Sequence, residues 1–203
     1  PGNGGYWYYS NFGLCVLGTT MELAYNGLLE DYLQAHFLEP IGAEASFFAK
    51  TLDFNMLGNI YTSGGGVGLS AAEMAAQAVP AAIGQSASYF PGGFNVSAVD
   101  MAKLVSILTN DGVYKEPLYE YVEIAPAPGS EETGETVVAA PVPGQYREIR
   151  LLSEESVADM ETPRFTVDPI TTSPFEQCLI LRRQEDLLGQ EVLYYHTGSA
   201  YGV

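Results

Sequence analysis

The spacing of apolar and polar positions predicts helices first and strands last. After Asn11, the residues Leu14, Leu17, Met21 and Leu28 recur near the helical period, with Val16 and Leu23 beside them. Ser10 or Asn11 is the natural N-cap of that helix. "GLLEDYLQAHFLEPIG" predicts a second amphipathic helix with Leu28, Leu29, Tyr32, Leu33 and Phe37 inward, stopped by Pro40 and Gly42. From Ala43 to Gly68 the apolar positions are broken by Gly and Asn, which predicts loops and short pieces. "TSGGGVG" lacks the Lys-Ser/Thr of a P-loop, so it is a flexible turn ahead of a helix in "SAAEMAAQAV".

"FPGGFNVSAVDMAKLVSILTNDG" carries a stronger signal. Ser97 can cap a helix with Asp100 three residues on, in a pairing like a capping box. Val99, Ala102, Leu104, Val105 and Leu108 supply its expected buried stripe, and Asn110-Asp111-Gly112 ends it. Beyond it, "PAPGSEETGETVVAAPVPG" between "LYEYVEI" and "QYREIRLL" predicts an inserted hairpin with an acidic tip. "SEESVADMETP" predicts a short helix capped by Ser153 and ended by Pro163. "CLILRR" and "EVLYYHTG" have strand composition, with Gly189 in the turn between them. The resulting divisions are a helical region over 1–113, an inserted hairpin or loop over 114–148, and helix plus strands over 149–203.

Composition narrows the function. With 47% hydrophobic and 16% charged residues, the 203-residue chain can bury a core. Its net charge of −17 repels phosphate backbones and anionic lipid, so nucleic acid is excluded as a partner. No apolar run has the length to cross a bilayer, and no segment has the flanks of a signal peptide. Two cysteines, Cys15 and Cys178, are expected as separate buried thiols. With two cysteines and two histidines, no metal site is expected.

Four segments, in order, resemble the serine beta-lactamase and penicillin-binding protein superfamily, in the branch of class C beta-lactamases, D-alanyl carboxypeptidases and esterases. That branch carries Ser-x-x-Lys, then Tyr-x-Asn, then Lys-Thr-Gly or His-x-Gly. "PGNGGYWYYSNFGLCVLG" resembles the segment around the second motif, and "HTGSAYG" resembles the third. "FPGGFNVSAVDMAKLVSIL" and "RLLSEESVADMETPR" resemble the helical stretches between them. The resemblance implies an α+β, beta-lactamase/transpeptidase-like fold, with the helical region packed on an antiparallel sheet.

It also implies roles. Tyr9 stands on the base side; a phenol titrates near ~10, so it serves only if cations favour phenolate or if it relays a proton to a lysine. Asn11 would orient the substrate amide. His196 stands where the third-motif Lys would be, Thr197 offers a hydroxyl, Gly198 leaves room for substrate, and the Ser199 N–H is half of an oxyanion hole. Tyr9 and His196 should approach each other across one groove. The implied substrates are D-alanyl peptides of peptidoglycan type, beta-lactams or esters, with no cofactor, in an exported protein.

The nucleophile is missing. Lys50, Lys103 and Lys115 are the chain's lysines, and Phe47, Asp100 and Gly112 stand three residues before them. No Ser-x-x-Lys exists in the sequence. The resemblance therefore implies an internal fragment of a larger hydrolase, incomplete at both ends and inactive alone. It is expected either to self-associate through sheet edges left open or to need the missing segments from a second polypeptide. The competing reading is a non-catalytic module that keeps the cleft to bind cell-wall polymer or a protein partner.

Overall fold

Local capping chemistry sets most of the helix boundaries. The structure is a computed structural model that describes residues 9–62, 64–124, 136–167, 175–179 and 181–196. Helix α1 spans Asn11–Tyr25; Ser10 is extended, and its Oγ accepts the Gly13 N–H at 3.1 Å. Asn26 closes α1 in the left-handed region at φ 57°. Helix α2, Leu29–Leu33, has no cap of its own side chains. It runs on as a π turn over Gln34–Leu38 and a 3-10 turn over Glu39–Ile41, which Gly42 closes. Of the two expected stops, Gly42 ends the winding, while Pro40 lies inside the 3-10 turn.

Helix α3 is only Ala71–Ala75, although its Ser70/Glu73 capping box is complete. It is shorter than expected because the Gln77 N–H turns back to the Met74 carbonyl, tightening the last turn. Helix α4 spans Ala98–Thr109 with Ser97 as its cap, and α5 spans Glu154–Glu161 with Ser153 as its cap.

The strands form small antiparallel sheets, so the chain is of mixed α+β type. Strand β1, Ala45–Ser46, pairs with β4, Asn95–Val96, while β2, Ile60–Tyr61, pairs with β3, Val67–Leu69. The expected hairpin is β5, Val113–Ile124, paired with β6, Thr136–Arg150. Its register shifts after Pro117, which faces Tyr146, so that Tyr119 faces Pro141. Proline cannot donate to a ladder, and the slip falls between the two prolines. Strands β7, Phe165–Val167, β8, Phe175–Gln177, β9, Arg182–Leu187, and β10, Gln190–Tyr195, form a meander in the order β10-β9-β8-β7. "CLILRR" is not one strand: the Cys178 N–H donates to the Leu181 carbonyl at 2.9 Å and makes a turn there.

The core joins the end of the second helix to α4 and the hairpin base. Leu38, Ile41, Ala43, Ala45, Ile107 and Tyr114 form its buried centre, with Phe94, Leu104 and Ile149 against it. Burying each large apolar side chain contributes about 1.5–3 kcal/mol. Gly112 is the junction. It sits at φ +88°, its carbonyl accepts the Leu151 and Leu152 N–H groups, and a Cβ there would lie 2.2 Å from the Leu152 oxygen.

Three expectations about faces need correction. On α4, Val99 (71% exposed) and Val105 face outward, while Asp100, Leu104 and Ile107 face in. The Asp100 carboxylate binds Ser97 and Lys103, and the bonds that reach outside the helix, Lys103 Nζ to the Gly42 carbonyl and the Glu44 N–H to Asp100, hold that face toward residues 42–44. On α1, Leu17, Met21, Val16 and Leu23 are exposed, and Gly18 and Glu22 are the buried positions. Glu22 turns inward because its oxygens accept the Leu29 N–H at 3.3 Å and the Gly84 N–H at 2.8 Å. Gly18 follows because the Phe90 ring lies where a Cβ would stand, at 2.0 Å. In the second helix the most deeply buried side chains are Leu38 and Ile41; Leu28, Tyr32, Leu33 and Phe37 are half-buried. The change to π and 3-10 winding rotates the later residues off the α-helical stripe.

Hydrogen bonds tie the β7–β10 sheet to α5. Leu179 N–H donates to Met160, and the Cys178 thiol donates to the Glu161 carbonyl at 3.1 Å. Among the described residues none runs directly between this sheet and residues 9–112. No helix among them is long and apolar enough to cross a membrane.

Candidate functional site

The Tyr-x-Asn segment sits at the entry of α1. Tyr9 precedes the cap and is 46% exposed, Ser10 is the cap, and Asn11 is the first helical residue, also exposed. The Ser10 hydroxyl is engaged with the Gly13 N–H, and no lysine hydrogen-bonds it among the described residues. That leaves Ser10 as a cap and gives it no activating base. The first turn of α1 holds no acidic residue, so its unpaired N–H groups and the positive end of the helix favour an anion or carbonyl beside Tyr9 and Asn11.

The other segment sits at the end of β10, an edge strand of its sheet among the described residues. His196 follows Tyr195 directly and is exposed. Thr197, Gly198 and Ser199 lie outside the described residues. Two cations stand across from this end, for Tyr195 faces Arg182 and Tyr194 faces Arg183. The motifs do not nominate either arginine, although the paired "RR" on a strand marks them. Arg183 is held between Glu176 and Glu185, the latter at 3.0 Å. Its hydrogen bonds to Glu176, then Glu185, raise its pKa further above the ordinary arginine value. Arg182 lies over the Phe175 ring, 4.3 Å from its centroid. The Tyr195 hydroxyl donates to Gln184 Oε1 at 2.9 Å and fixes that ring on the sheet face.

The structure brings Tyr9, Ser10 and Asn11 together on one helix end, and His196 together with the two arginines on one strand end. Among the described residues no hydrogen bond or ion pair joins the two ends. Two open grooves are lined by other residues. One, of about 260 Å³, lies between α1 and α2 and is bounded by Met21, Tyr25, Leu29 and Tyr32. The other, of about 390 Å³, lies beside β4. The cysteines are both free. Cys178 is buried as expected, and burial, with Glu176 nearby, pushes its thiol pKa up, away from nucleophilic use. Cys15 is only half-buried, although it lies one turn before Gly18 on the same side of α1. No group of three or more potential metal ligands occurs among the described residues.

Comparison with family models, with curated proteins and with solved structures found no match to this chain.

Proposed function

We propose that this chain supplies the substrate-holding half of a serine acyl-transfer site of the beta-lactamase and penicillin-binding type. It acts on D-alanyl peptides, beta-lactams or small esters, with the nucleophilic Ser-x-x-Lys supplied from outside these 203 residues. The observation that supports it best is His196, exposed directly after an edge strand, where an extended substrate can lie alongside β10. The capped, acid-free entry of α1 supports the same reading from the other side, since it favours the carbonyl or carboxylate of such a substrate. In this scheme Asn11 orients the substrate amide, His196 donates to the substrate or to the Tyr9 oxygen, and Tyr9 relays the nucleophile's proton. The Ser199 N–H is one oxyanion donor, and removing such a donor costs about 2.7–4 kcal/mol of barrier. Arg182, opposite Tyr195, adds positive charge at the same strand end.

Two readouts on the ¹⁵N-labelled chain test this. Titration with a D-alanyl-D-alanine peptide should shift the resonances of both Asn11 and His196, and mass spectrometry after exposure to a fluorescent penicillin should show no covalent adduct. Shifts at neither residue would refute the site. A stoichiometric adduct on Ser10 or any other serine would refute the assignment of the nucleophile to another segment.

A further inference from the structure

We propose that the groove beside β4 is a binding site for a hydrophobic cation, an amine or ammonium group carried on an apolar body. The groove measures about 390 Å³, the scale of a small-molecule site. Leu52, Met56, Leu57, Ile60, Met74 and Phe94 make its apolar wall. The two thioethers can reshape around an irregular guest.

The polar lining decides the class of ligand. It consists of Glu44, Asn95 and Ser97 beside the backbone. Ser97 is committed, since its Oγ accepts the Asp100 N–H and donates to Asp100 Oδ2. The Asn95 amide nitrogen donates to the carbonyls of Ser46 at 3.2 Å and Gly93 at 2.9 Å. Its orientation is therefore fixed, and its Oδ1 is left as an acceptor with no protein donor among the described residues. The Glu44 carboxylate has no ion pair among them either. The cation on the adjoining helix, Lys103, is held by Asp100 at 2.8 Å and by the Gly42 carbonyl.

Both uncommitted polar side chains are thus acceptors, and one carries a full negative charge. A guest must donate hydrogen bonds and bring positive charge to complement them, while its remaining surface must be apolar. An anion is repelled by Glu44, and a neutral guest forgoes the attraction that the exposed carboxylate offers a cation. The net charge of −17 also raises the concentration of cations around the chain.

Methyl-labelled methionine NMR tests this on the intact chain, whose methionines are Met21, Met56, Met74, Met101 and Met160. The probes are 4-phenylbutylamine, 4-phenylbutanol and 4-phenylbutyrate, which differ only at the head group. The amine should shift Met56 and Met74 while leaving Met101 and Met160 in place. It should bind about three- to fivefold more tightly than the alcohol, the gain of one exposed charge pair. Glu44→Gln should abolish that advantage, and Glu44→Lys should transfer it to the butyrate. Glu44 is exposed, so both variants keep the fold. Equal affinity for amine and alcohol in the parent chain, or saturation without shifts at Met56 and Met74, would overturn the proposal.

Discussion

Helices α1 and α4 are built to the same plan and solve a buried carboxylate in opposite ways. Each begins with a serine cap, and each turns an acidic residue inward: Glu22 in α1, Asp100 in α4. Asp100 has a cation, Lys103 one turn on, together with the Ser97 hydroxyl. Glu22, the more deeply buried of the two, has no cation among the described residues; backbone N–H groups of Leu29 and Gly84 serve instead. The first is mostly a local device within one helix, with a single bond from outside it, the Glu44 N–H. The second needs two other parts of the chain in place, one of them 62 residues away. Glu22 is at once the N-terminal partner of α2 and the clamp on the turn at Gly84. The comparison shows that an inward carboxylate can be a tertiary fastening rather than a defect in the apolar stripe.

The largest effect is expected where that fastening is removed. Glu22→Ala leaves two backbone donors without partners and should cost about 2–4 kcal/mol in chemical denaturation, with Glu22→Gln near half of that. If Glu22→Ala costs no more than an exposed substitution, the clamp is not structural and the contrast with α4 fails. Asp100→Asn should cost less, about 1–2 kcal/mol, because only one local network is weakened.

Acid sensitivity sharpens the contrast further. Burial alone would raise the Asp100 pKa, but hydrogen bonds from Lys103 and Ser97, the charge of Lys103 and the Glu44 N–H together hold it below the ordinary carboxylate value. A carboxyl whose folded value is depressed stabilises the fold above its unfolded value near ~4 and loses that contribution as pH falls through the folded value. Stability measured from pH ~5 down to ~2 should therefore fall less steeply in Asp100→Asn than in the parent chain. An unchanged acid limb would show that Asp100 adds no such linkage. The smallest effects belong to the caps. Ser97→Ala should cost about 1 kcal/mol and Ser10→Ala about 0.5, since of these two caps only Ser97 binds both the backbone and a carboxylate. Equal costs would mean that the Ser97–Asp100 bond contributes nothing.

Local chemistry was legible in the sequence, and long-range fastening was not. The caps at Ser10, Ser97 and Ser153, the stop at Gly42, and the pairing of the two hairpin strands follow from residues near one another in sequence, while the expected acidic tip lies outside the described residues. The inward face of α1 does not, because Gly84 and Phe90 decide it from far along the chain. The break at Cys178–Leu181 was hidden by an unbroken apolar run, "CLIL". For the candidate site, Tyr9, Asn11 and His196 were nominated only by the family resemblance of their segments. The arginines opposite the last residues of β10 emerged only from the strand register.

Whether the two ends of the chain share one site is tested most directly by a paramagnetic label at the entry of α1. A nitroxide attached through Phe12→Cys, in a Cys15→Ser and Cys178→Ser background, places the probe on an exposed position one residue from Asn11. If Tyr9, Asn11 and His196 hold one substrate, the label should strongly broaden the His196 imidazole resonance while sparing that of His36. A His196 signal as sharp with the oxidised label as with the reduced one would contradict a shared site.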